Sequence, residues 1–359
     1  MSFESYLKKA IQDLTLGLTF NVYDIKSNLF HCPKPLIKKH EGETLCRHRL
    51  ILVSTESEGF LSGLETYEYI LSGKDVLKEK YITYISKVDT TTTLKKYQGL
   101  TARIVQSYIA SLPSSTSVFV FARAQPQYLF AKSAENKLKS TLSDRDLVSW
   151  WLSVLNKTPV ECDGWWSVPG IDDEGSALIE IGARKRGWKS SELICWQYGV
   201  SYKPEDDANL VIPRFEDDAK SRLLKNNKQD KLTITEFWNL LAFGEECGSG
   251  KITGFFEIRI KGQNTAMLLE KGQEKLDLKD NEFTLFWNKL MSLDFHDEIS
   301  ILNSTKTALK DLQDMFPNIK PFIAKGVADQ PKISNSDSSA DKRPAVNMLS
   351  SGFIKRKKI

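Results

Sequence analysis

The chain has 359 residues, 41% of them hydrophobic and eight of them Trp, enough to fill a substantial core and to exclude wholesale disorder. No apolar run approaches the roughly 18 residues of a spanning helix, and the opening MSFESYLKKA lacks the apolar region of a signal peptide, so neither membrane insertion nor secretion is expected. Fifty basic and 46 acidic residues leave a net charge of +4; Gly326 to the end carries all of it, and a neutral body over residues 1–325 is a poor duplex-DNA binder, because that affinity needs clustered phosphate contacts.

In chain order, the first 16 residues read as a short amphipathic helix with Tyr6, Ala10, Leu14 and Leu16 near one face. Strand-like runs follow at Leu50–Ser54, Leu64–Leu71 and Tyr81–Val88, then a helix over Gly99–Leu112 stopped by Pro113. Ser117–Phe121 (SVFVF) is too continuously apolar for an exposed strand and predicts a buried one. Ser143 through Leu155 predicts a helix, with Ser143 and Asp146 as an S-x-x-D cap and Leu147, Trp150, Trp151 and Leu155 at helical spacing. Ser176–Ile181 (SALIEI) alternates as a strand, and Asp217–Leu224 reads as a helix opening on two carboxylates. Thr233 and Glu236 cap a further helix, Thr253–Lys261 alternates as a strand, and 282–293 and 298–315 are helical. The expected fold is α/β: a single domain over residues 1–325 with a central mixed sheet wrapped by helices. Residues 326–359 read as a disordered basic tail, residues 326–352 being rich in Ser, Asp, Asn and Pro.

Most motifs have plain readings. Five widely spaced cysteines without a C-x-x-C pair fit a reducing compartment. His31, Cys32, His40, Cys46 and His48 cluster in sequence without zinc-knuckle spacing, so no metal is expected. Gly244–Ile252 imitates a phosphate loop but has one residue too many and Ile252 in place of Ser or Thr, which makes it a Gly-rich turn. Arg184–Lys189 is compatible with a nucleic-acid patch, a phosphate site or a solvated turn, the turn being the commonest. Lys342-Arg343, a spacer, and Lys355-Arg356-Lys357-Lys358 fit a bipartite nuclear import signal read by a carrier. Two stretches stay ambiguous on physics alone. Asp217-Asp218-Ala-Lys220-Ser-Arg222 is ordinarily a solvated helix start, although Asp218 and Arg222 share a face and Lys220 can fold back on the carboxylates. Of Trp150 and Trp151, one ring faces the core while its neighbour, about 100° around the helix, lines something else.

Several of these stretches together resemble the fungal regulator-of-Ty-transposition histone acetyltransferases: Tyr84-Ile-Ser-Lys-Val-Asp89-Thr90, Phe121-Ala-Arg123 with Gln127-Tyr128-Leu129-Phe130, Trp150-Trp151, Trp196-Gln197 and Phe215 to Arg222, in order across residues 50–260. The resemblance implies a core akin to the CREB-binding-protein acetyltransferases. It also implies acetyl transfer from acetyl-CoA, without a metal, to lysines of newly made histone H three (with histone H four). The setting it implies is nuclear: replication-coupled chromatin assembly and DNA-damage tolerance, with histone chaperones of the nucleosome-assembly-protein and anti-silencing-function types. By the same resemblance Asp218 is the catalytic carboxylate, Trp151 lines the substrate-lysine channel, Asp217 is a local acid, and Asp89 is the acid beside the cofactor. Lys220 acetylates itself, with Arg222 as its partner. Acetyl-CoA lies against Val88, Thr90, Lys95, Lys96, Tyr97, Gly99, Phe121, Arg123, Gln125 and Trp150. Departures are a missing insertion before Ser117 and Ser140 near the place of a family histidine. The rival readings are a non-catalytic histone-chaperone adaptor that kept the fold, and an unrelated CoA-using enzyme.

Overall fold

A computed structural model describes residues 1–14, 17–73, 80–227, 230–244, 246–248, 250–262 and 277–327. Long β-branched and aromatic runs build the centre: β3 (Glu43–Thr55), β4 (Gly59–Ser72) and β5 (Lys80–Thr90) form antiparallel neighbours, extended on one side by β1 (Thr19–Lys26) and β10 (Phe322–Lys325). On the other side β5 pairs parallel with β6 (Ser117–Ala122), followed in space by β9 (Gly254–Ile260), β7 (Cys162–Ser167) and β8 (Ile194–Tyr198). With the short β2 (Phe30–His31) this is one ten-stranded sheet. Its two parallel pairs, β5–β6 and β7–β8, each need a crossover, supplied by α2 (Leu100–Ala110) and α4 (Glu174–Glu180).

Side-chain alternation gives the sheet two covered faces. Ile51, Val53, Ile85, Val118 and Val120 point to α1 (Phe3–Ile11), α2 and α3 (Asp144–Asn156). Leu50, Leu52 and Phe60 point the other way, to α8 (Asp280–Met291) and α9 (Glu298–Met315), while Tyr84 and Phe119 on that face receive Phe215. A satellite cluster of α5 (Ala208–Val211), α6 (Ala219–Asn226) and α7 (Ile234–Ala242) packs near the end of β9 through Phe237, Leu241 and Phe255.

The mixed α/β reading holds, with local corrections. Ser176–Ile181 is helix: Asp173 caps α4 by accepting from Ser176 N at 2.9 Å, and Ala177, Leu178 and Ile181 are buried while Ile179 is exposed. Six residues are too few to separate a period of 2 from one of 3.6. The apolar stripe of α1 is Phe3, Leu7 and Ile11, continued by Leu14, not the Tyr6–Ala10 face, and Leu16 lies outside the described residues. α6 begins at Ala219, one residue past Asp218, with Asp217 outside the helix. Strands β1, β7, β8 and β10 were not anticipated, being short or broken by Asp and Gly. The tail expectation falls on residues that, from 328 onward, lie outside the described ones, as does the proposed import signal; Gly326 N and Val327 N still bond to Leu18 O and Gln12 O.

Candidate active site

A cavity of about 470 Å³ opens beyond the carboxyl ends of the parallel strands β5 and β6, the position where open α/β sheets commonly bind ligands. The end of β5 contributes Val88, Asp89 and Thr90; the approach to α2 contributes Lys95, Tyr97 and Gly99; the end of β6 contributes Phe121, Arg123 and Gln125; and α3 contributes Trp150 and Trp151. Nine of the ten expected cofactor residues therefore meet in one place. Lys96 does not line the cavity; its exposed ammonium pairs with Glu58. Ser86, Tyr128 and Lys139 also line it and were not singled out as site residues. Ser86 sits where the β4–β5 register slips between Glu65 and Thr66, a bulge that brings both Ile85 and Ser86 to the cavity.

Backbone details place these groups. Gly99 has φ +83°, left-handed backbone that favours glycine, at the turn into α2. Ser143 caps α3, accepting from Asp146 N at 3.2 Å, and Val148, Leu152 and Leu155 bury the helix on the sheet. Gly254 permits the close approach, since a Cβ there would lie 2.8 Å from Val148 Cγ1. Trp151 is then 5% exposed and Trp150 half-buried, their rings 5.0 Å apart edge to face. The core ring and its neighbour both border the same cavity.

Asp89 is fully committed. Its Oδ2 accepts from Tyr128 N at 2.8 Å, Leu129 N at 2.8 Å and Phe130 N at 3.1 Å. Its Oδ1 accepts from Thr90 N at 2.8 Å and from the buried Lys139 Nζ at 2.7 Å. Such a carboxylate anchors the turn after β6. Tyr128 tightens that turn, its hydroxyl donating to Arg123 O and accepting from Gln125 N at 2.9 Å; burial pushes the phenol up to about 12.

The Asp217–Arg222 segment lies on the opposite sheet face from α2 and α3, because Phe215 stacks at 4.4 Å on Tyr84. It does not line the cavity. Nor is it a solvated helix start: Asp218 is 0% and Lys220 5% exposed. Asp218 Oδ1 accepts from Lys220 N at 2.9 Å, capping α6, and Oδ2 has no hydrogen-bond partner, with Lys220 Nζ 3.4 Å away. Burial raises the Asp218 carboxyl above its ordinary 3.8, against the pull of Lys220. The Lys220 ammonium lies over the Phe119 and Phe255 rings at 5.6 and 5.0 Å. Asp217 is exposed, left-handed at φ 56°, and accepts from Arg222 Nη1 at 3.0 Å.

Elsewhere, among the described residues no group of three or more His, Cys, Asp or Glu side chains is arranged to hold a metal ion. Arg184–Lys189 is a turn in which Arg186 is tied to Asp146 at 2.8 Å.

The histone acetyltransferase KAT11-type domain matches residues 95–311 of this chain. The chain belongs to that family. It is a histone acetyltransferase, and that activity implies acetyl-CoA as co-substrate. Histone acetyltransferase rtt109 of Schizosaccharomyces pombe is 24% identical over 337 residues, covering 85% of this chain and 86% of that one. The Candida albicans protein of the same name is 28% identical over 192 residues, 51% of this chain and 49% of its own. The crystal structure of Rtt109 from Aspergillus fumigatus superposes with a TM-score of 0.72 at 20% identity, covering 90% of this chain and all of that one, which establishes the shared fold.

Proposed function

We propose that this acetyltransferase holds acetyl-CoA in the cavity beyond β5 and β6 and acetylates lysines of newly made histone H three, presented with histone H four. The observation that carries this reading is the meeting of an apolar cavity, cationic side chains and paired Trp rings at one strand end. The residues fit the ligand: Leu61, Ile85 and Trp150 offer apolar walls, while Arg123 and Lys95 offer donors for phosphates. Bound there, acetyl-CoA supplies an activated acetyl group. The chain must supply a neutral lysine amine, whose pKa in water is about 10.4. Trp151 borders the path and excludes water, which disfavours the ammonium. Asp218 then takes the proton, since its Oδ2 accepts no hydrogen bond and burial has raised its proton affinity.

Lys220 is the lysine the chain acetylates on itself; neutralising a cation that is only 5% exposed removes a costly desolvated charge, leaving Arg222 as its local partner. Asp89 and Asp217 act around these groups, Asp89 by fixing the turn that carries Arg123. The setting is the nucleus, with delivery by chaperones of the nucleosome-assembly-protein and anti-silencing-function types, in replication-coupled chromatin assembly and DNA-damage tolerance. Lys342, Arg343 and Lys355 to Lys358 engage an import carrier. These finer assignments rest on the sequence resemblance. Calorimetric titration with acetyl-CoA tests the site: Arg123→Ala weakens binding by about 1–3 kcal/mol, whereas an unchanged Kd removes Arg123 from it.

A further inference from the structure

The buried Asp218–Lys220 pair packs on the sheet face away from α2 and α3 and does not line the cavity at the strand ends, and a reaction that uses both needs them held in one geometry. One side chain reaches both. Glu246 accepts from Arg123 Nη1 at 2.9 Å, where Arg123 borders the cavity, and from Arg222 Nε and Nη2, while the remaining nitrogen of Arg222 reaches Asp217 at 3.0 Å. Glu246 comes from the Gly-rich turn between α7 and β9. Cys247 N and Gly248 N both bond back to Gly244 O there, and Gly248 fits where a Cβ would come within 2.9 Å of two carbonyl oxygens. The same turn sends Ile252 N towards Asp144 Oδ2, at 3.4 Å, on α3. A stretch that imitates a phosphate loop thus contributes a carboxylate, not backbone amides for phosphate.

We infer that Glu246 is a positioning residue that ties the cofactor-facing Arg123 to the Asp217–Arg222 segment around the end of β6. This rests on reading the cavity as the acetyl-CoA site. Without Glu246 Arg123 loses that ion pair and the orientation it sets, and Arg222 is left with the exposed Asp217. The opposite consequence, that Glu246 merely competes with phosphate for Arg123, predicts tighter binding when it is removed.

Equilibrium binding of acetyl-CoA to full-length wild type, Glu246→Gln, Arg123→Ala and the double variant separates these, together with initial rates at saturating acetyl-CoA. The expected result is about a fivefold weaker Kd for Glu246→Gln in wild type and less than about twofold in the Arg123→Ala background, since coupled residues are non-additive. The rate at saturation also falls by about fivefold through the Arg222 arm. Unchanged or tighter binding by Glu246→Gln, or an equal loss in both backgrounds, overturns the inference. If Glu246→Gln misfolds, Glu246→Asp keeps the charge and retracts it by one methylene, and the same coupling to Arg123 is required of it. An Arg123→Ala protein that binds acetyl-CoA normally defeats the reading of the cavity instead; a weakened Arg123→Ala with an unaffected Glu246→Gln defeats only this inference.

Discussion

Lys220 and burial act in opposite directions on the protonation of Asp218. The Lys220 ammonium pulls the Asp218 carboxyl down while burial pushes it up, and burial prevails. A proton acceptor whose folded pKa lies above 3.8 gives a rate that rises with pH through that raised value. Acetylating Lys220 removes the downward pull, so Lys220→Gln moves this acid limb to higher pH and Lys220→Arg leaves it low. Gln, which resembles the neutral amide, retains more activity than Arg, whose permanent cation remains desolvated. A pH–rate profile for the three proteins checks both the order and the direction; identical limbs contradict the coupling. The resemblance made Asp89 an acid beside the cofactor, and it is beside the cavity, but five donors occupy its two oxygens, and a carboxylate so engaged acts by holding the turn after β6.

At the scale of elements, β1, β3, β4 and α2 are joined by charge. Glu68 accepts from Arg47 and Arg49 and from Tyr108, all four of these residues being buried, and Arg49 also clasps the half-buried Asp24. Burial alone would raise the Glu68 carboxyl, but the two guanidiniums outweigh it and hold it down at about 2. Its ordinary value is 4.5, so its contribution to stability is fully present above pH 4.5 and is lost as pH falls towards 2. Glu68→Gln removes the carboxylate shared by two buried guanidiniums, leaving Arg49 with Asp24 and Arg47 with the more distant Asp277, and lowers stability near neutrality by about 3–5 kcal/mol; denaturant titrations from pH 5 to 2 show a shallower decline than in wild type. The reading of elements from sequence succeeded where a cap or a long run marked them. Ser143–Asp146 and Thr233–Glu236 announce α3 and α7, and SVFVF announces β6. It failed at α4, whose cap Asp173 precedes the window that looked alternating, and at β7 and the edge strand β8, whose places come from tertiary pairing that no local pattern records. The cavity residues were legible only through the family's motifs. Burial of Asp218 and the role of Glu246 were not legible, because both depend on contacts between segments far apart in sequence.

For the whole molecule, the sheet opens a cavity of about 470 Å³ at the β5–β6 ends and buries a carboxylate–ammonium pair on the face away from α2 and α3, with the neutral body carrying both. In the sequence the net basic charge follows β10. Deleting residues 342–359 therefore leaves acetyl-CoA binding and thermal stability unchanged and reduces nuclear accumulation of a fluorescent fusion; full accumulation of the truncated chain contradicts the import reading. On the proposed reading this fold delivers a neutral lysine amine to acetyl-CoA with Asp218 as the proton acceptor. The most direct test is the initial rate of acetyl transfer to a histone H three–H four–chaperone complex at saturating acetyl-CoA, wild type against Asp218→Asn. Asp218→Asn is expected to lower this rate about 10²–10⁴-fold with acetyl-CoA affinity retained. A rate within about twofold of wild type contradicts it.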